Sequence, residues 1–193
     1  MQKAIVGIQM DSLWKELIEK VRSYNLGALE EEALLNIEQA KEYSLCLESI
    51  STLTSPLYLF YYMVSLGRII FVCKKRLPFK EVLHGLTNRR DGLQVRVKAH
   101  GTFPTLHSII SGEKIKPGTT FGIEELLAMI PWVYYVENPV LPPISSSYLL
   151  GFLLSMLSRY EPTLWNTIRL DYNITLFLKE TPKHFLEELI KVL

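Results

Sequence analysis

The stretch that decides the fold is Leu57–Cys73, LYLFYYMVSLGRIIFVC, which follows the dipeptide Ser55-Pro56. Apolar residues occupy nearly every side of this segment, as is typical of the central helix of a helical domain. Ser55 is a favourable helix cap and Pro56 suits the first helical position, so the two predict where the helix begins. Gly67-Arg68 interrupts the apolar run, which is shorter than the ~20 residues that a membrane span needs. We therefore expect a buried core helix and no membrane partner.

The pattern on either side of this segment predicts further helices. A helix capped by Asp11 and a second one from about Ala28 to Ile50 precede it. The second helix carries an inward stripe of mostly small residues, which would let a neighbouring helix approach closely: Ala33, Ile37, Ala40, Ser44 and Leu47. Later helices are expected at 79–83, 123–130 and 148–159, after Pro162, and after a cap formed by Thr181-Pro182.

A short region in the middle of the chain changes period. Leu93, Val95 and Val97 alternate with polar residues, which is the two-residue period of a half-exposed strand. The glycine-rich segment 101–122 is expected to be irregular, with one more short strand at most.

Taken together, these patterns predict a mainly α fold of about seven helices with a small β element near residues 93–107. One domain is expected over residues 1–193, in which the Pro- and Ser-rich residues 137–147 form a connecting loop.

The composition limits the function without identifying it. The chain has 193 residues, of which 48% are apolar, and its 21 Lys and Arg nearly balance 20 Asp and Glu. This balance provides no overall field that would attract nucleic acid or a membrane. The two cysteines, Cys46 and Cys73, are expected to be buried free thiols in a reducing cytosol. The first residues lack the apolar core of a signal peptide, so we predict a cytoplasmic location.

Charge is distributed unevenly along the chain. Residues 11–50 are predominantly acidic, whereas residues 74–100 are predominantly basic. We predict a basic contact surface from the second segment: Lys74, Lys75, Arg76, Arg89, Arg90, Arg96 and Lys98. Three interpretations remain open: a solvated face, a weak contact with RNA, or an acidic face of another copy of the chain. The last of these predicts self-association that weakens with salt.

The chain resembles the YaaC-like proteins, bacterial polypeptides of poorly defined function. The resemblance rests on five blocks in order, NIEQAKEY, SPLYLFYYMVSLGRIIFV, HGLTNRR, KAHGTFPTL and IEELLAMIP, and above all on LLSMLSRYEPTLW. In that last block Arg159, Tyr160 and Trp165 match the Ser-Met-x-x-Arg-Tyr…Trp pattern of the family. The resemblance covers roughly residues 30–180. It also implies that this chain is a short form, which lacks a middle segment between Pro131 and the last block.

A looser similarity is to HEPN domains, helical modules found as ribonucleases and as toxin or defence partners. The third helix looks like the tyrosine-rich helix that many of them carry. Their ribonucleases use an Arg and a His on one helix, and the nearest candidates here are Arg96 and His100. On the strand that the alternation predicts, the two residues share a face but lie ~13 Å apart, too far to act on one phosphate. We therefore predict no ribonuclease activity and keep this catalytic pair as an alternative.

A candidate polar cluster combines His84 with Arg159, Tyr160 and Trp165. Arg159 ends an apolar helix and must find partners for its five donors, so we expect it to be more than half buried and bonded to backbone or a carboxylate. In the structural interpretation, Arg159 fixes the corner between two helices. In the functional interpretation, His84 and Arg159 line a pocket for an anion or nucleotide, on which Tyr160 or Trp165 stacks.

The sequence shows no pattern for a metal or a cofactor. None of the four histidines has a cysteine or carboxylate at ligand spacing, and a phosphate loop and a nucleophile elbow are absent from the sequence. The leading hypothesis is therefore a non-catalytic or catalytically degenerate interaction module. We expect it to act in a bacterial cytosolic assembly, with stress or phage defence as the context that the HEPN similarity suggests. The alternatives are an RNA-binding ribonuclease and a nucleotide- or anion-sensing module.

Overall fold

The structure is a computed structural model, and it describes residues 2–80, 83–88, 93–134, 137 and 139–193. In these ranges the helices are α1 (Gln2–Ser23), α2 (Leu29–Ser49), α3 (Ser55–Lys75), α4 (Thr102–Ser111), α5 (Ile123–Leu127), α6 (Pro143–Tyr160), α7 (Pro162–Ile168) and α8 (Tyr172–Val192). The strands are β1 (Leu86–Asn88), β2 (Gln94–Val97) and β3 (Thr120–Gly122). The predicted mainly α fold with a small β element is confirmed.

Helix α3 is the centre of the molecule, as its apolar sequence predicts. It packs against α2, α6, α8 and α4, and most of its side chains are fully buried. Ser55 is its first residue rather than its cap, and Pro56 lies in the first turn. The close approach of α6 depends on Gly151, because a Cβ there would collide with the Met63 side chain of α3. The two helices therefore meet without an intervening side chain on the α6 side.

The stripe of small residues on α2 faces the interior of the chain. Ala33, Ile37, Ala40 and Ser44 are buried, and α2 has its most extensive packing against α3. The predicted close approach of a neighbouring helix is thus realised within one chain. Leu47, the last residue of the predicted stripe, is partly buried.

The β element is a three-stranded antiparallel sheet in the order β1-β2-β3. Val95 and Val97 of β2 are buried while Arg96 is exposed, as the alternation predicts. The expectation of β structure over residues 102–107 is wrong, because these residues belong to helix α4. Gly101 precedes α4 and Pro104 lies in its first turn, so residues that usually interrupt a helix here mark its beginning.

Several helix boundaries differ from the sequence prediction. Helix α1 already includes Asp11, and α6 begins at Pro143, inside the expected loop 137–147. The described part of the segment 79–83 is not helical. Helix α8 continues through Pro182 instead of beginning there. The carbonyl of Pro182 accepts a hydrogen bond from the Tyr62 hydroxyl at 2.6 Å, which anchors this part of α8 to the core.

One described helix, α3, is long and apolar enough to cross a membrane by length and composition. Of its most apolar window, 72% is buried inside the protein. A helix buried in the core of a protein can have the same length and hydropathy as a membrane span. The burial of α3 agrees with its predicted place at the centre of the fold.

A contact between two glycines fixes the segment that leads into the sheet. Gly101 has a φ of +128°, and a Cβ on it would lie 2.5 Å from the Cα of Gly85. Gly85 itself has a φ of +73°, and a Cβ there would lie 2.8 Å from the His100 carbonyl oxygen. Both positions therefore require glycine for conformation as well as for space. His84, directly before Gly85, is placed by this contact.

The Gly101→Ala variant should lose at least about 2 kcal/mol of unfolding free energy, because the methyl group meets backbone atoms and the φ is unfavourable. Gly122→Ala is the matched control. Gly122 has an ordinary φ of −88°, and no atom would lie within 4 Å of a methyl group added there, so its change should stay within about 0.5 kcal/mol. Urea unfolding measures both, and equal losses in the two variants would contradict the role of the glycine contact.

Candidate functional site

His84 occupies a fixed position above two core helices. The backbone around it is held by α4, since Phe103 N–H donates to the His84 carbonyl and Thr102 N–H donates to the Leu83 carbonyl, both at 2.9 Å. Its ring centre lies 4.9 Å from that of Phe60 on α3 and 6.1 Å from that of Phe152 on α6. The imidazole is half-buried on an aromatic floor shared by both helices.

The electrostatic environment of His84 is cationic. Burial is the main cause that lowers the pKa of His84 from its ordinary value of 6.5, and the charges of Arg159 and Arg68 lower it further. The charge of Arg159, which the functional interpretation pairs with His84, thus acts on the imidazole, and so does the charge of Arg68. We call these three residues the cationic cluster.

Arg68 is a cation on the most buried helix of the protein. Its guanidinium carbon lies 5.2 Å from the ring centre of Phe79, and the side chain is half-buried. Its Nε–H is buried without an acceptor, and no hydrogen bond or ion pair joins Arg68 to any residue in the described ranges. A buried donor without a partner is costly, so this arrangement requires an explanation.

Arg68 also borders an open groove of about 430 Å³ along α2. Glu31 and Glu32 line the far side of this groove, together with Asn36 and Gln39. The Glu32 carboxylate accepts a hydrogen bond from the Phe79 N–H at 2.9 Å, so it is committed to the backbone. The acidic side chains of this groove disfavour an anion within it.

Tyr148 adds a second buried donor near the cationic cluster. Its side chain is fully buried between Phe60 and Phe103, and its hydroxyl has no hydrogen-bond partner among the described residues. Burial raises the pKa of Tyr148 strongly, while the nearby charge of Arg68 lowers it. The phenol is consequently protonated and able to donate.

Arg159 is exposed, so the prediction that it is more than half buried is wrong. Helix α6 ends one residue later, and its last two residues, Arg159 and Tyr160, are exposed although Leu157 in the same turn is buried. The Nε–H of Arg159 donates to the Ser155 carbonyl at 3.0 Å, so the expected backbone bond is present. The guanidinium carbon lies 5.1 Å from the ring centre of Tyr160, which is 62% exposed. The charge thus remains accessible to solutes.

Trp165 is a structural residue rather than a stacking surface. It is 1% exposed, and its indole N–H donates to the Leu53 carbonyl at 3.1 Å. This bond ties α7 to the segment before α3. Of the predicted cluster, Arg159 acts on His84 through its charge, whereas Trp165 is enclosed in the core.

Sequence reasoning missed Arg68 and Tyr148 as site residues. The signal for Arg68 was a lone charge within an otherwise apolar helix, which by itself indicates only an interruption of the apolar run. Tyr148 carried no local signal, because its importance depends on which helices meet around it.

The predicted basic contact surface is divided among several elements. Lys74 lies over the Tyr24 ring at 5.5 Å, and Arg76 donates to the Tyr24 carbonyl at 2.7 Å, so both stabilise the end of α3. Lys75, Arg96 and Lys98 are exposed. Arg89 and Arg90 lie outside the described residues.

The alternative catalytic pair, Arg96 and His100, is divided between the sheet and the bend that follows it. Arg96 is on β2, which ends at Val97, whereas His100 lies in the bend before α4. The strand therefore does not extend to His100, contrary to the expectation that both residues share one. Within the described part of the chain, no hydrogen bond joins the two side chains. The helical arrangement that HEPN ribonucleases use is not formed by this pair.

Other potential chemistry in the described ranges is limited. Cys73 is buried, which raises the pKa of its thiol to about 11, whereas Cys46 is half-exposed rather than buried. His107 is buried between Ser145 (3.0 Å) and Ser111 (3.3 Å) and joins α4 to α6. No group of three metal-ligating side chains occurs among the residues that the structure describes.

Comparison with known proteins agrees with the sequence blocks. The family model described as YaaC-like Protein matches residues 10–136 and 132–193. The chain belongs to the YaaC-like family. In this YaaC-like protein the two matched segments meet at residues 132–136, which is where the resemblance predicts the missing middle segment. No curated protein and no solved structure matches the chain. The HEPN similarity stays a prediction.

The pKa of His84 should lie below 6.5 and should rise in the Arg159→Gln variant, because removing a nearby positive charge makes protonation of the imidazole easier. An NMR titration of the imidazole Cε1 proton measures this, with His84→Gln to assign the signal. Arg96→Gln is the control, since Arg96 is not among the charges that act on His84. An unchanged pKa in Arg159→Gln would contradict the proximity of the two residues.

The Arg159→Ala variant should lose less than about 1 kcal/mol of unfolding free energy, because its contacts are exposed. Trp165→Ala should lose about 3–5 kcal/mol, because it empties a fully buried site. Thermal and urea unfolding compare the two. A loss in Arg159→Ala as large as that in Trp165→Ala would restore the structural interpretation of Arg159.

Proposed function

We propose that this YaaC-like protein is a non-catalytic binding module that takes an anion at the cationic cluster of Arg68, His84 and Arg159. The observation that carries the proposal is Arg68. Its Nε–H is buried without an acceptor, and in the described ranges no carboxylate forms an ion pair with it. An anion at the exposed part of this half-buried side chain would neutralise the charge.

The other members of the cluster support the same ligand class. Arg159 contributes an exposed guanidinium, and His84 contributes a ring that gains a positive charge on protonation. Because the site is half-buried, charge-assisted hydrogen bonds are stronger there than on an open surface. A phosphate group, with several oxygens and more than one negative charge, fits this donor set.

The protein should bind tripolyphosphate, and the Arg68→Gln variant should weaken this binding by about tenfold or more. One charge-assisted hydrogen bond contributes about 1.5–3 kcal/mol, which corresponds to that change. Affinity should also increase as the pH falls from 8 to 6, because protonation of His84 adds a positive charge to those of Arg68 and Arg159. Isothermal titration calorimetry at low salt measures both effects.

Two control variants make this experiment specific. Arg96→Gln removes an exposed cation on the sheet and should leave the affinity within about twofold of the parent. His84→Gln should retain binding but lose most of the pH dependence. Equal weakening by Arg68→Gln and Arg96→Gln would show only diffuse attraction between charges, and the proposed site would then be rejected.

We further propose that the module acts in the bacterial cytosol as part of an assembly, with a partner protein or a second copy of the chain. The support is the exposed charge at Lys75, Arg96 and Lys98, which is complementary in sign to the acidic segment 11–50. A role in stress or phage defence stays a prediction. The ribonuclease alternative is less favoured, because Arg96 and His100 occupy a strand and a bend.

A further inference from the structure

Three tyrosines form a cluster on the surface where α2 meets α3. The Tyr43 and Tyr61 rings are stacked, with centres 5.9 Å apart and an angle of 24° between their planes. Tyr58 meets Tyr43 edge-on at 6.3 Å. Tyr61 is 37% exposed, and none of the three hydroxyls is hydrogen-bonded to a residue in the described ranges. Tyr43 and Tyr58 are partly buried and Tyr43 covers one face of Tyr61, so the exposed part of Tyr61 is what a ligand can reach.

The tyrosine cluster borders the cationic cluster through a single ring. The Phe60 ring centre lies 4.9 Å from that of His84 and 5.9 Å from that of Tyr61. Tyr61 and Arg68 are seven residues apart on α3, so they lie on the same side of the helix two turns apart. Between them, Ser65 donates to the Gln39 side chain at 2.8 Å. The exposed Gln39, bonded to Ser65, therefore lies between Arg68 and the exposed Tyr61.

We propose that the anion bound at Arg68, His84 and Arg159 is the phosphate part of a nucleotide, whose base stacks on Tyr61. This inference rests on the proposed function and specifies its ligand. Aromatic rings stack on any nucleobase, whereas inorganic phosphate has no ring that could stack on a tyrosine. The free tyrosine hydroxyls and the Gln39 amide provide donors and acceptors at the edge of such a base.

The test compares nucleotides with an anion that lacks a base. Isothermal titration calorimetry of the full chain with ATP, GTP and tripolyphosphate should give about tenfold tighter binding of the nucleotides, the size expected for one stacked base. Tyr61→Ala should remove this difference and leave tripolyphosphate binding unchanged, whereas Tyr61→Phe should retain the difference. Arg68→Gln should weaken all three ligands.

Two further variants guard against indirect effects. Tyr172→Ala removes a tyrosine that is 74% exposed on α8 and should change nothing. Tyr61→Leu keeps an apolar side chain of similar bulk but has no aromatic face. If stacking is responsible, this variant should also lose the difference in affinity between nucleotides and tripolyphosphate. It serves as the test if Tyr61→Ala folds poorly. Circular dichroism melts confirm that each variant is folded.

The outcomes separate this inference from the one on which it rests. Equal affinities for nucleotides and tripolyphosphate would overturn the nucleotide inference and leave the anion site standing. Weaker tripolyphosphate binding in folded Tyr61→Ala would also overturn it, because Tyr61 would then only support the cation site. A failure of all three ligands to bind the parent protein would overturn the proposed function itself.

Discussion

The burial of α3 on nearly every side is the constraint on which the rest of the structure depends. An apolar helix of 21 residues has to be covered by other helices, and α2, α4, α6 and α8 provide that cover. Close packing needs small residues at the contacts, which Ala33 and Ala40 supply on α2 and Gly151 supplies on α6. The same constraint makes Arg68 conspicuous. A guanidinium on such a helix can be accommodated only at a boundary between covering elements, and the groove beside α2 is that boundary.

Local patterns predicted the parts of the fold that local forces determine. The position of α3 follows from its hydrophobicity, and the alternation of β2 follows from one face of the sheet being buried. Helix α4 and the continuity of α8 were not predictable in this way. Gly101 and Pro104 favour a loop by themselves, and Pro182 favours a helix start. Tertiary contacts decide these cases, as with the Tyr62 hydroxyl that binds the Pro182 carbonyl, and a single sequence does not reveal such contacts.

The candidate site likewise combines features that local patterns predict with features that only tertiary packing decides. The pairing of His84 with Arg159 was predicted from a motif, and the charge of Arg159 acts on His84 in the structure. The predicted burial of Arg159 was wrong, because the end of a helix projects from the core whenever the next helix turns away, and the sequence does not give that angle. Arg68 and Tyr148 belong to different helices, so their common relation to the site depends on how α3 and α6 pack. The tyrosine cluster likewise joins residues of α2 and α3.

The contact between Gly85 and Gly101 has a mechanical consequence. It holds together the two ends of the chain segment that contains β1 and β2, so the backbone enters and leaves this segment at one fixed point. The position of the imidazole before this point is therefore set by the contact between the two glycines. Replacement of either glycine would couple the two parts and make the position of the ring depend on the sheet.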